Sequence, residues 1–166
     1  MCNFIINLET IADSIAIANL HSKMFGPARF TRASHLIREK SPHSLDLSFT
    51  LYKDNNLIGS LRITEILIGK KKALLLGPLA VDSNYHKLGL GSKIMEKSIK
   101  NIISKQLDDL LILLIGDFAY YNKFGFKHIA TNNIILPAPV DKKRILAFEL
   151  HKGATENLNG YVKARG

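Results

Sequence analysis

The run from Leu74 to Ser92, Leu-Leu-Leu-Gly-Pro-Leu-Ala-Val-Asp-Ser-Asn-Tyr-His-Lys-Leu-Gly-Leu-Gly-Ser, constrains this chain more than any other stretch. An apolar, strand-like segment ends at Val81 and a short polar turn follows. Gly89 and Gly91 then open a segment with helical periodicity. A helix that begins on glycines leaves its first backbone N–H groups unpaired and presents the positive end of its dipole. Those are the parts that hold a phosphate or pyrophosphate, so the spacing predicts an anion site at a strand-to-helix junction.

The chain has 166 residues, enough for one domain with a proper core, and 46% of them are apolar. Cys2 is the only cysteine, which leaves no intrachain disulfide and no thiolate metal cluster. The N-terminus lacks the basic start and long apolar core of a signal peptide. The longest apolar run, Leu110 to Ile115, is too short to span a bilayer. These features lead us to expect a soluble cytoplasmic protein with no membrane association.

The formal charge is +9, with lysines at 70–72, 93, 97, 100 and 105, and Lys142, Lys143 and Arg144, spread over several segments. Such a chain attracts nucleic acid non-specifically. It has no aromatic-interleaved basic motif and no recognition-helix pattern, so nucleic acid is not the expected partner. A basic surface equally draws in a polyanionic small cofactor.

Along the chain, Phe4 to Leu8 reads as a first strand, and Thr10 as the cap of a helix from Ile11 to Met24 with Ile11, Ile15 and Ala18, and alternatively Ile17, on its apolar side. Gly26-Pro27 breaks it, and a second helix is expected from Phe30 to Lys40. Leu45 to Tyr52 alternates as a half-buried strand, then pairs through Asp54-Asn55-Asn56 with a strand from Leu57 to Ile68. Ala73 to Val81 is the next strand. From Gly89 to Gln106, the residues Ile94, Met95, Ile99, Ile102 and Ile103 recur at helical spacing, with the lysines on the other face. Leu110 to Ile115, apolar on both faces, suits a central strand. A short helix from Phe118 to Phe124 and strands at 129–136 and 145–150 complete the pattern. The polar stretch 153–166 reads as a loose tail. The class is therefore α/β (α+β): a mixed, mostly antiparallel sheet of about seven strands flanked by helices, with residues 1–166 forming a single domain.

That order resembles the GNAT superfamily of acetyl-CoA-dependent N-acetyltransferases. The superfamily places Gln/Arg-x-x-Gly-x-Gly/Ala between its fourth strand and the next helix. Here the same place reads His86-Lys87-Leu88-Gly89-Leu90-Gly91. A second feature, Tyr-x-Lys-x-Gly-Phe, is present as Tyr121-Asn122-Lys123-Phe124-Gly125-Phe126. The wider wording, from Gly77 to Asp82 and from Gly116 to Phe126, is similar to a small bacterial branch of predicted N-acetyltransferases.

The resemblance implies acetyl-CoA as co-substrate and no metal. It assigns the pyrophosphate to the amides near Lys87, Leu88, Gly89, Leu90, Gly91 and Ser92, and gives the pantetheine arm to the backbone of Leu79, Ala80 and Val81. His86 stands where the family has Gln or Arg. As a neutral or charged imidazole it is either a cofactor contact or an ordinary turn residue. Tyr121, four residues before the glycine, takes the family's general-acid role: a phenol with pKa near ~10 stays protonated at neutral pH and can serve the departing thiolate. Asp117 stands where relatives often carry an asparagine-containing turn that touches the cofactor. No general base is secure. Glu65, on the third strand, is a weak candidate, equally a surface or salt-bridging residue. The other histidines lack metal-ligand spacing.

The implied activity is acetyl transfer to a primary amine by direct attack on the thioester. Two alternatives are a silent acyl-CoA-binding regulatory module and a basic nucleic-acid-associated protein. The acceptor, whether a small molecule or a peptide amine, is set by the first two helices, the hairpin and the Pro137 to Asp141 loop, none of which bears a motif. Edge strands in such a fold leave a homodimer open.

Overall fold

The computed structural model describes residues 3–166, so Cys2 lies outside the described residues. Its contacts divide into two compact units. The first runs to Arg29 and takes in Ser44–Ile63 and Gly77–Gln106; the second holds Phe30–His43, Thr64–Leu76 and Leu107–Gly166. Two long strands, β3 (Asn56–Ile68) and β4 (Lys71–Val81), contribute a part to each. Strand pairing is antiparallel apart from two parallel contacts, giving a mixed α/β class with an open, mostly antiparallel sheet flanked by helices. Among the described residues no helix is long and apolar enough to cross a membrane.

In the first unit, β1 (Phe4–Leu8) pairs with β2 (Phe49–Lys53), β2 pairs with the start of β3, and the end of β4 follows on β3. The predicted strand from Leu45 begins only at Phe49. Ser44 and Ser48 divert the residues before it into a turn, the Ser48 hydroxyl donating to the Ser44 carbonyl at 2.6 Å. Helix α1 (Ser14–Phe25) starts through a 3-10 turn at Ile11–Asp13, and this shifts its phase. Ile17 and Leu20 are buried, while Ile11 and Ile15, expected on the apolar side, are 79% and 76% exposed. Asp13 anchors the turn, accepting from the Thr10 N–H at 2.8 Å and from the Tyr52 hydroxyl at 2.5 Å. Burial opposes the Asp13 charge, yet these hydrogen bonds outweigh it and hold the carboxyl below its usual range. The same bond pushes the Tyr52 phenol up to about 12.

Helix α3 (Leu90–Ser104) packs Ile94, Met95, Ile99 and Ile102 into this unit's core. Ile103, expected with them, is 53% exposed, because it lies a full 100° round the helix from Ile102. Two charged links close the unit. Arg62 grips the buried carboxylate of Glu9 in a forked pair at 2.8 and 3.2 Å. Lys23 meets Asp82 at 2.9 Å and holds that carboxyl below its usual range.

In the second unit β4 runs parallel to β5 (Leu111–Ile115), and β5 pairs antiparallel with β8 (Ile145–Glu149), whose other edge carries β6 (Lys127–His128). Helix α2 (Ala33–Arg38) contributes Ile37 to the core with Ile66, Leu75, Leu113 and Ile145. Of the strand expected at 129–136, only Ile134–Ile135 is paired, as β7. The proposed tail is instead a strand: β9 (Gly160–Ala164) pairs antiparallel with Ile66–Ile68 of β3 and parallel with β7. Sequence reasoning missed it because only Val162 among its residues is buried.

Arg165, just past β9, explains why this end is ordered. Its guanidinium donates to the carbonyls of Ile66 and Ala73, at 3.1 and 2.9 Å, and to the buried carboxylate of Asp109. Arg165→Met strands that carboxylate. A loss of roughly 3 kcal/mol in urea unfolding is expected, the low end for breaking a buried pair. A loss below 1 kcal/mol would leave β9 as an incidental contact.

Candidate functional site

In the first unit, the end of β4 leads directly into the glycine turn. Here β4 is the last strand, bonded on its β3 side through the Asp82 N–H to the Ile58 carbonyl at 2.7 Å. Within the unit, the outer edge of Leu79, Ala80 and Val81 has no strand partner and, apart from the Val81 carbonyl taken by His86, is able to accept an extended ligand as an added strand. Ala80 is buried while Leu79 and Val81 are half-buried.

Beyond Val81 the chain makes a 3-10 turn at Ser83–Tyr85, capped by the Asp82 side chain on the Asn84 N–H at 3.0 Å. Lys87 and Gly89 then take left-handed backbone conformations, with φ of 71° and 73°, on either side of Leu88. Alternation of left- and right-handed residues turns successive N–H groups toward one side and forms a nest for an anion. Such geometry is strained at a lysine, and strain of this kind concentrates where a ligand is held. The first bond inside α3 is from the Lys93 N–H to the Gly89 carbonyl at 3.1 Å, so the preceding amides lie before the helical ladder. A Cβ built on Gly89 would meet no protein atom within 4 Å, so its missing side chain leaves open space above the turn. Lys87, Leu88 and Gly89 are exposed, Gly91 and Ser92 half-buried, and Leu90 is the buried anchor.

His86 resolves differently from a free anion contact. Its Nε2 lies 2.8 Å from the Val81 carbonyl and donates to it, folding the turn back on the strand end. A glutamine or arginine side chain can also donate a hydrogen bond.

In the second unit, the Tyr-x-Lys-x-Gly-Phe segment holds one phenol in place. Helix α4 (Phe118–Tyr121) is capped by Asp117, whose side chain accepts from the Ala119 N–H at 3.2 Å. Asp117 is thus a structural cap. The Tyr121 ring lies edge-on to Tyr120 at 4.9 Å and to Phe126 at 6.2 Å. Gly125, at φ 100°, turns the chain so that Phe126 enters the core, and a Cβ there would come within 2.9 Å of the Phe148 ring. Lys123 sits over the Tyr120 ring at 4.5 Å. The Tyr121 hydroxyl makes no hydrogen bond to any described residue. Desolvation, helped by the nearby Tyr120 and Asp117 and opposed by Arg144, pushes its phenol up to about 12.

Glu65 is engaged elsewhere in this unit. Its carboxylate faces the Arg165 guanidinium at 3.7 Å, which matches the salt-bridging role the sequence left open for it. Sequence reasoning missed the role of Gly116. A Cβ at that position would lie 2.5 Å from Cε2 of Tyr121, so only glycine lets the tyrosine ring sit where it does. Its place just after an apolar strand was the available signal.

Gly116→Ala should therefore destabilise the protein by about 1–3 kcal/mol through overpacking. Most of that penalty should vanish in a Tyr121→Ala background, measured as a double-mutant cycle in urea. Additive losses would show that the two residues do not touch.

Comparison with known proteins agrees with this geometry. The profile of the Acetyltransferase (GNAT) family matches residues 14–126. The uncharacterized N-acetyltransferase YhbS of Escherichia coli K12 is 25% identical over 158 residues, covering 94% of this chain and 91% of the relative. The crystal structure of Escherichia coli YhbS in complex with CoA superposes with a TM-score of 0.80 at 20% identity, covering 99% of this chain and 91% of that one. A GNAT family acetyltransferase of Brucella melitensis, solved with acetyl-CoA, gives a TM-score of 0.72 at 20% identity over 99% and 97% of the two chains.

Proposed function

The chain belongs to the GNAT acetyltransferase family, and from that premise we propose that it transfers the acetyl group of acetyl-CoA to a primary amine by direct attack on the thioester. The whole chain, residues 1–166, is read as one such domain, working in the cytoplasm. The observation that carries the reading is the amide nest at Lys87 to Ser92, opening on a 15-residue helix straight after an unpaired strand edge. Coenzyme A carries a pyrophosphate for the first and a pantetheine arm with amide groups for the second. The relatives crystallised with CoA and acetyl-CoA support the same assignment.

In this reading the amides of Lys87 to Ser92 hold the pyrophosphate, with the α3 dipole behind them. The backbone of Leu79, Ala80 and Val81 pairs with the pantetheine arm. His86 supports that pairing indirectly by holding the Val81 carbonyl and fixing the strand end. Attack by the neutral amine pushes electron density onto the thioester sulfur, and Tyr121 donates a hydrogen bond to that sulfur as charge develops. A phenol raised to about 12 is a reluctant proton donor. With Glu65 bound to Arg165, the ammonium proton leaves through solvent.

Tyr121→Phe should lower kcat roughly tenfold or more, at the low end of general-acid effects, while acetyl-CoA binding by calorimetry is retained. Because the phenol is raised, its protonated form persists above the ordinary tyrosine value of about 10. The wild-type kcat should accordingly show no fall centred near pH 10 in a thiol-release assay. Wild-type turnover in the Phe variant would reduce Tyr121 to a packing residue. Acetyl-CoA binding without turnover on any amine would leave an acyl-CoA-binding module.

A further inference from the structure

The second unit carries a depression of about 370 Å³ that the mechanism above does not use. Ile134, Leu136, Val140 and Ile145 form apolar walls, the segment 137–139 with its two prolines closes one side, and Thr131 and Lys142 are the polar members. Cavities of this size suit a small organic molecule with an apolar body.

Its position ties it to Tyr121. Lys142–Arg144 forms a 3-10 turn leading into Ile145, and the Arg144 carbonyl accepts from the Gly116 N–H at 2.9 Å. Gly116 is the residue against which the Tyr121 ring rests. The depression and the phenol are therefore supported by one short backbone link within the same unit.

The electrostatics are one-sided. Lys142, Lys143 and Arg144 are consecutive and exposed, and their side chains have no ion-pair partner among the described residues. Two acids flank these cations, Asp141, which accepts from the Lys143 N–H at 3.0 Å, and Asp117, which caps α4, so the turn stays net positive. A polyamine or an aminoglycoside would bring further ammonium groups against a turn that is already net positive. An amine that also bears a carboxylate would instead complement them.

We propose that this depression receives the acceptor, and that the acceptor is a primary amine of amino-acid size carrying a carboxylate and an apolar side chain. Lys142 pairs with the carboxylate and sets specificity. The assignment rests on the transferase reading above and names its substrate class.

The test compares four amines by thiol release from acetyl-CoA: leucine, leucinamide, isopentylamine and spermidine. Leucine should exceed leucinamide and isopentylamine at least tenfold in kcat/KM, with spermidine the poorest. Lys142→Gln should collapse the leucine-over-leucinamide ratio toward unity through a higher KM for leucine, and Lys142→Arg should restore it. Preference for spermidine or leucinamide, or a ratio unmoved by Lys142→Gln, overturns this assignment and leaves the transferase intact. Acetyl-CoA binding with no turnover on any of the four likewise overturns the acceptor assignment, and the transferase reading then stands or falls on a wider panel of amines.

Discussion

A half-buried guanidinium needs acceptors for its inward N–H groups, and Arg165 finds them on the strands that build the second unit. Carbonyls of β3 and β4 and the carboxylate of Asp109, two residues before β5, converge on it, and Glu65 meets its outer edge. Each of those acceptors would otherwise be a polar group at a strand margin without a partner. Once Arg165 is seated, β9 is held against β3. The apolar run Leu111–Leu114 can then stay dry between β4 and β8. The unit that presents Tyr121 thus depends on a residue next to the C-terminus.

The first unit solves a different problem with the same economy of backbone groups. Its strands end on β4, and its longest helix begins on amides that no residue of the helix can satisfy. Left-handed conformations at Lys87 and Gly89 gather those amides, and His86 fastens the turn to Val81. In the proposed function the anion supplies what the fold leaves out. Membership of the GNAT family accounts for the element order, while the acceptor class rests on the charge of the 142–144 turn.

What was legible in the sequence was what local physics dictates. The glycines of the β4–α3 turn, the apolar stripe of α3 and the Tyr-x-Lys-x-Gly-Phe segment each act over a few residues, and each forms the expected element. Misjudgements came where distant or phase-shifting contacts decide. The 3-10 turn at Ile11–Asp13 rotates α1 so that Ile17, rather than Ile11 and Ile15, enters the core. The strand at β9 has one buried residue and owes its order to a guanidinium whose partners lie 56 to 99 positions away. Glu65 meets that same guanidinium, the salt-bridging alternative the sequence left open. Gly116 opened a recognised motif, but its role, to leave room for a ring five residues on, is a contact that spacing does not reveal.

The central claim is that the amides of Lys87 to Ser92 hold the pyrophosphate of acetyl-CoA. Hydrogen exchange at those amides, with and without saturating acetyl-CoA, tests it most directly. The account predicts that exchange from 87 to 92 slows markedly on binding, because each amide gains an acceptor that excludes water. Binding proved by calorimetry, with exchange at 87–92 unchanged and protection confined to other segments, would contradict it.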